Sequence, residues 1–222
     1  PIQYDVIIID EGQDFKPEYW LAIEMLRVQQ EDTKLYIFQD SNQAIYTDSN
    51  DLPINCESLF LFDNCRNTKY IHNSAYQYYK GTEVDAPDLE GEPVQLIEEM
   101  SLELQARAID KKILGLINTE NINPEDIAII VMGSFHEAQA LLSNTNNSHL
   151  WAFKEFSPTS KVLVETEKRF KGLEAKIIFL WIIDEKAIND KSLYVSISRA
   201  RFRLWVIGTT PIIKITNLMK FT

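Results

Sequence analysis

The segment Asp10-Glu11-Gly12-Gln13-Asp14 places two adjacent carboxylates directly after the apolar run Val6-Ile7-Ile8-Ile9. In open α/β sheets, ligands sit outside the carboxyl ends of the strands. A carboxylate at such a position can hold Mg²⁺, directly or through its water shell, beside nucleotide phosphates. A second carboxylate next to it can orient and deprotonate an attacking water. The same acids could instead serve the N-terminus of a following helix, which favours negative charge. Asp14 and Asp40 add two further carboxylates, so a metal-dependent nuclease using Asp10, Glu11, Asp14 and Asp40 as paired metal ligands is an alternative.

The elements that would carry these residues can be read from the apolar pattern. Tyr4 to Asp10, rich in Val and Ile, reads as a strand buried on both faces, as in parallel sheets. Pro17 opens a helical pattern through Tyr19, Trp20, Ile23 and Leu26. Lys34 to Phe38 reads as a second strand and Ser58 to Phe62 as a short third one. From Asn64 a helix runs to about Lys80, followed by an acidic loop from Thr82 to Pro93. Strands follow at Val94 to Ile97, Ile127 to Val131, Lys161 to Val164, Ile177 to Ile183 and Leu204 to Gly208. Helices alternate with them at Leu102 to Ile117, His136 to Leu142 and Ser192 to Ala200. This alternation predicts an α/β fold with parallel sheets in two units, 1–63 and 64–222, the first cut short at its N-terminal side.

Composition limits the partners. Hydrophobic residues make up 45% and charged residues 25% of the 222, as in ordinary globular domains. No apolar run approaches the roughly 20 residues that cross a bilayer, so no membrane partner is expected. No basic and apolar leader opens the chain. Cys56 and Cys65 form neither a zinc pattern nor a disulfide framework, which predicts a reduced, cytoplasmic protein. A net charge of −11 argues against a basic nucleic-acid module and predicts weak DNA binding by this chain alone. A local groove can still bind nucleic acid whatever the sum of charges. The chain has no initiator Met and begins almost inside a strand, which suggests a piece of a longer chain.

Four further segments follow Asp10–Asp14 in order: Gln39-Asp40-Ser41-Asn42-Gln43-Ala44-Ile45-Tyr46, Asn64-Cys65-Arg66-Asn67-Thr68, Thr166-Glu167-Lys168-Arg169-Phe170-Lys171-Gly172-Leu173-Glu174, and Leu193-Tyr194-Val195-Ser196-Ile197-Ser198-Arg199-Ala200-Arg201. With DEGQD as a Walker B motif, they resemble the GDxxQxIY, N-[YF]-R-[ST], TxHxxKGLE and YVAxTRA motifs of UvrD/Rep-like superfamily 1 DNA helicases. The resemblance covers nearly the whole chain. It implies a RecA-like fold: the end of a first motor domain, then a second motor domain without a large inserted accessory domain.

The resemblance also implies roles. Asp10 would serve Mg²⁺ and Glu11 would be the catalytic base, with Gln13 and Asp14 linking the nucleotide site to neighbouring motifs. Gln43 would sense the ATP γ-phosphate and Tyr46 would offer an aromatic face to a DNA base. Arg66 and Arg199 would reach the γ-phosphate across the interdomain cleft, work suited to a permanently charged guanidinium. Thr166 would approach DNA phosphate, Gly172 would permit close backbone approach, and Glu174 would address the nucleotide sugar. Lys168 stands where the family usually has His, at a DNA-facing position. Read singly, each arginine would be a surface ion-pair residue.

The chain has seven glycines and no GxxxxGK[ST] segment, hence no phosphate-cradling loop. The resemblance therefore implies that the N-terminal ATPase segment lies on other residues, that single-stranded or partially duplex DNA is the partner of the complete protein, and that this chain alone does not hydrolyse ATP. A non-catalytic binding module on a degenerate helicase fold is the other alternative.

Overall fold

The computed structural model describes residues 2–28, 33–40, 59–153 and 159–222. They form two compact units, Pro1–Leu61 with Lys80–Thr82, and Phe62–Tyr79 with Glu83–Thr222.

The smaller unit holds strand β1 (Val6–Ile9), helix α1 (Pro17–Leu26) and strand β2 (Lys34–Ile37). β1 and β2 are parallel, with Val6 opposite Lys34 and Ile9 opposite Ile37. Proline at the start of α1 needs no N–H there, and its φ suits the first turn. The expectation that β1 is buried on both faces is corrected: Ile9 is buried, but Val6 and Ile8 are exposed. With period-two alternation, they share a face with Tyr36 of β2, which is also exposed. Among the described residues this sheet has two strands, and only one of its faces is covered.

The larger unit carries the main core. Its elements are α2 (Lys69–Tyr76), β3 (Gln95–Glu98), α3 (Leu102–Glu120), β4 (Ile127–Met132), α4 (Phe135–Ser143), β5 (Trp151–Phe153), β6 (Val162–Thr166), β7 (Ala175–Ile182), α5 (Asp190–Ser198), β8 (Ala200–Gly208) and α6 (Thr210–Ile215). The strands form one parallel sheet in the order β3-β8-β7-β4-β6-β5. Every residue of β4 is buried, as a continuous run of Ile, Ala, Val and Met requires when helices cover both faces. Ile109, Ile113 and Leu116 of α3, Leu142 of α4, and Phe179, Trp181 and Trp205 of the sheet pack into one cluster. The indole of Trp181 donates to Gln105 Oε1 at 2.7 Å, and Gln105 Nε2 donates to the Glu99 carbonyl at 2.9 Å, so this buried polar pair leaves no donor stranded. α3 starts where Ser101 Oγ accepts from Leu104 N–H and stops where Asn121 turns left-handed, with φ 54°.

The α/β class and the parallel sheet are as the alternation predicts. Three details differ. Residues 59–62 form no strand; Leu59 to Phe62 are exposed, and pairing in this stretch is limited to an isolated bridge between Asp63 and Asp85. Ser58 lies outside the described residues. The helix expected from Asn64 begins at Lys69, because Asn64 Oδ1 accepts from the backbone N–H groups of Arg66 and Asn67 and holds the chain in a turn. β5 and α6 were not foreseen: three and six residues are too few to set a period.

Candidate functional site

In the smaller unit the chain leaves β1 at the exposed Asp10 and turns sharply at Glu11, whose φ of 54° and ψ of 42° are left-handed. A non-glycine residue there is uncommon and costs energy that neighbouring bonds must offset. Those bonds are present. Gly12 N–H donates to the Phe38 carbonyl at 2.9 Å, and Asp14 N–H donates to the Glu11 carbonyl at 2.9 Å. The buried Gln13 donates through Nε2 to the Glu11 carboxylate and accepts through Oε1 from Asp40 N–H at 3.1 Å. Gln13 thus ties the carboxylate after β1 to the backbone after β2. Gly12 has no room for a side chain, since a Cβ would lie 2.5 Å from Ile37 Cγ2. Asp10 Oδ1 accepts from Glu11 N–H at 2.9 Å.

Could these acids hold a metal? Among the described residues no group of three or more His, Cys, Asp or Glu side chains is placed to do so. Mg²⁺ beside phosphates is commonly bound through one or two carboxylates, retained waters and the substrate's own oxygens. The exposed Asp10 at the strand end fits that kind of donor set. The nuclease alternative, which needs paired acids, gains no observation in its favour. Gln43 and Tyr46 lie outside the described residues.

In the larger unit, three distant segments meet. The Glu174 carboxylate pairs with Arg66 Nε at 3.2 Å through one oxygen and with Arg201 Nη1 at 3.3 Å through the other. The three side chains are 46%, 40% and 44% exposed for Arg66, Glu174 and Arg201. Sheet pairing explains the meeting. Ala175 opens β7 opposite Ala200 of β8, and the register slips between Ala175 and Ile177, where Ile177 faces Arg203. β8 therefore carries one extra residue beside Arg201, and such bulges re-aim side chains.

Beneath Arg66 lies a buried polar network. Asn64 Nδ2 donates to Asn67 Oδ1 at 2.9 Å and makes a 2.9 Å hydrogen bond with His72 Nδ1. Asn67 Nδ2 donates to the Ser198 carbonyl at 3.0 Å and the Ala200 carbonyl at 2.6 Å, on either side of Arg199. Asn67 therefore fastens the Arg66 turn to the α5–β8 junction. Arg199 itself is 2% exposed. Its Nε donates to the Val195 carbonyl at 3.1 Å, where a cation suits the carbonyl end of α5. The guanidinium that opens toward solvent on this segment is that of Arg201.

Of the remaining motif residues, Thr166 ends β6, and its Oγ1 accepts from Arg169 N–H at 3.4 Å. Lys168 is exposed. Burial pushes the Glu167 carboxyl above its ordinary range, against the pull of its own backbone N–H and of Lys168. Gly172 has φ +80° with open space where a Cβ would stand, so its backbone angle, not crowding, calls for glycine. The structure thus joins Arg66 to Glu174 directly, and the Arg66 turn to the carbonyls that flank Arg199 through Asn67. Arg201, Asn67 and His72 are the residues that motif reading missed. Their only signal was proximity to motif arginines and, for Asn67, an amide where the pattern expects a hydroxyl.

No family model matches the sequence, and no curated protein matches it. Solved structures do. The fold is similar to the C-terminal domain of a possible DNA helicase from Lactobacillus plantarum WCFS1, at 17% identity and TM-score 0.54, over 71% of this chain and 93% of that one. It is also similar to arterivirus nonstructural protein 10, a helicase, at 13% identity and TM-score 0.51, over 96% of this chain and 41% of that chain. The same viral helicase solved with DNA matches at 12% identity and TM-score 0.55, over 100% of this chain and 43% of that one. The chain spans about two fifths of the viral helicase. At these identities the likeness establishes a helicase-like α/β fold built on a parallel sheet.

Proposed function

We propose that this chain is part of an ATP-dependent superfamily 1 DNA helicase of the UvrD/Rep kind, working with a phosphate-binding loop supplied by residues outside these 222. The observation that carries the reading is the convergence of Arg66, Glu174 and the Ser198–Arg201 segment where the inner strands β7 and β8 begin. They come from three separate motifs, and a fold of helicase type brings them together. The arterivirus relative was solved with DNA, which supports nucleic acid as the partner.

In this reading ATP is the substrate and single-stranded or partially duplex DNA the track. Asp10 would hold Mg²⁺, which when bound neutralises charge on the transferring phosphoryl group. Glu11 accepts a proton from the attacking water at its carboxylate, held in place by Gln13 and the left-handed turn. Arg66 binds the γ-phosphate, Glu174 the sugar, and Gln43 senses the phosphate. Arg199 lies buried at the end of α5, so its part is to brace the start of β8. Tyr46, Thr166 and Lys168 face DNA, and the backbone at Gly172 approaches the nucleotide.

The test is reconstitution with a segment carrying GxxxxGK[ST]. DNA-stimulated phosphate release is expected from the combination and none from the 222 residues alone. Glu11→Gln should lower turnover by about 10²-fold or more while ATP still binds, because it removes the base and keeps the shape. Turnover by the chain alone, or unchanged turnover in Glu11→Gln, would overturn the reading.

A further inference from the structure

We propose that Arg66 and Arg201 together form a receptor for one phosphate group, and that the Glu174 carboxylate occupies it until a phosphate displaces it. The inference rests on the nucleotide reading of this cluster and extends it by adding Arg201 and by giving Glu174 a second role. Each oxygen of the Glu174 carboxylate takes one guanidinium: Oε2 from Arg66 at 3.2 Å, Oε1 from Arg201 at 3.3 Å. Two guanidiniums converging on separate oxygens of one small anion is the arrangement that a phosphate monoester or a terminal phosphate would also meet.

The magnitudes favour exchange over a fixed structural bridge. All three side chains are close to half exposed, and exposed pairs contribute only about 0–1 kcal/mol each. A phosphate carries more charge and more acceptor oxygens than a carboxylate, so it can compete for the same two cations. Among the described residues Glu174 is the acid paired with Arg201; its guanidinium also lies 5.8 Å from the ring of Phe202. The nearby Arg203, in contrast, is shared between two separate acids, Glu120 and Glu92, and is the less exposed guanidinium at 26%. The two receptor arginines are also presented on firm backbone. Asn64 accepts from Arg66 N–H at 2.9 Å, and Asn67 grips the carbonyl of Ala200, next to Arg201, at 2.6 Å. When phosphate enters, the released Glu174 carboxylate is free to accept a hydroxyl, which is the sugar-facing role its motif implies.

The experiment uses the 222-residue chain, tripolyphosphate as probe and calorimetry at fixed, low ionic strength, with chloride as the competing-anion control. Glu174→Gln keeps size and removes the competing charge, and should tighten binding by about fivefold or more. Arg201→Ala and Arg66→Ala should each weaken it by a similar factor, and Arg201→Lys should recover little, since an ammonium lacks the guanidinium fork. Circular dichroism on each variant separates loss of binding from loss of fold, and Arg201→Gln serves if the alanine variant unfolds. Binding unchanged in Arg201→Ala, or unchanged or weaker in Glu174→Gln, overturns the proposal. ATP hydrolysis plays no part in this readout. Anion exchange without motor activity would retain the receptor and remove the helicase reading, while motor activity with unaltered anion binding would do the reverse.

Discussion

Asn67 uses both amide hydrogens on the carbonyls of Ser198 and Ala200, and its oxygen accepts from Asn64. All four residues of this contact are buried. Alanine at position 67 would strand two buried carbonyls and one amide hydrogen, and each unsatisfied group costs about 1–3 kcal/mol. Aspartate would be worse, since it turns the donor into an anion facing two carbonyl oxygens. We expect urea unfolding, followed by tryptophan fluorescence, to show Asn67→Ala less stable by about 3 kcal/mol or more and Asn67→Asp less stable still. An aspartate variant as stable as wild type would discard the donor assignment. The same bonds explain why the departure from the motif at this position is tolerated: an amide reaches across where a hydroxyl could not bridge two carbonyls.

At the scale of an element, α2 couples this network to pH. His72, on its buried face, makes its Nδ1 hydrogen bond to Asn64 and stacks on Tyr76 at a centroid distance of 4.0 Å. Burial lowers the His72 pKa, while the hydrogen bond to the Val84 backbone and the charge of Asp85 act in the opposite direction. The unfolded chain, with His at its ordinary value of 6.5, therefore takes up the proton first as pH falls. The stability that neutral His72 contributes is complete above 6.5 and is lost as pH drops below it toward the depressed folded value. Protonation also puts a hydrogen on Nδ1, where Asn64 already donates. The melting temperature of the wild type should fall through this acid range more steeply than that of His72→Phe, which stacks but does not titrate. Parallel pH profiles would remove His72 as the cause.

The whole molecule divides by how much of each sheet is covered. β4 is flanked on both edges by β6 and β7 and is buried throughout, whereas β1 pairs with β2 and leaves Val6 and Ile8 in solvent. Amide protection follows burial and cooperative packing. Hydrogen exchange should be slowest in β4 and β7 and markedly faster in β1 and β2 of the 222-residue chain. Equal protection in β1 and β4 would show the two units unfolding as one. No described helix is long and apolar enough to cross a membrane.

The apolar runs of Ile127–Met132 and Ile177–Ile182 were legible as buried parallel strands because a strand covered on both faces has nowhere to place a polar residue. The chemistry-bearing residue types, Asp10, Glu11, Arg66, Glu174 and Arg199, were likewise visible by type and order along the chain. Their mutual geometry was not. The pairing of Ala175 with Ala200 and the slip beyond it turned Arg201 toward Glu174, and the cap of α5 drew Arg199 inward. Nor could the alternation at Val6 and Ile8 reveal which face of β1 would be covered, because that depends on a neighbouring layer. A sequence determines which side chains can bond and where the backbone can extend or coil. Only the packed sheet decides which side chains, a hundred residues apart, are close enough to do so.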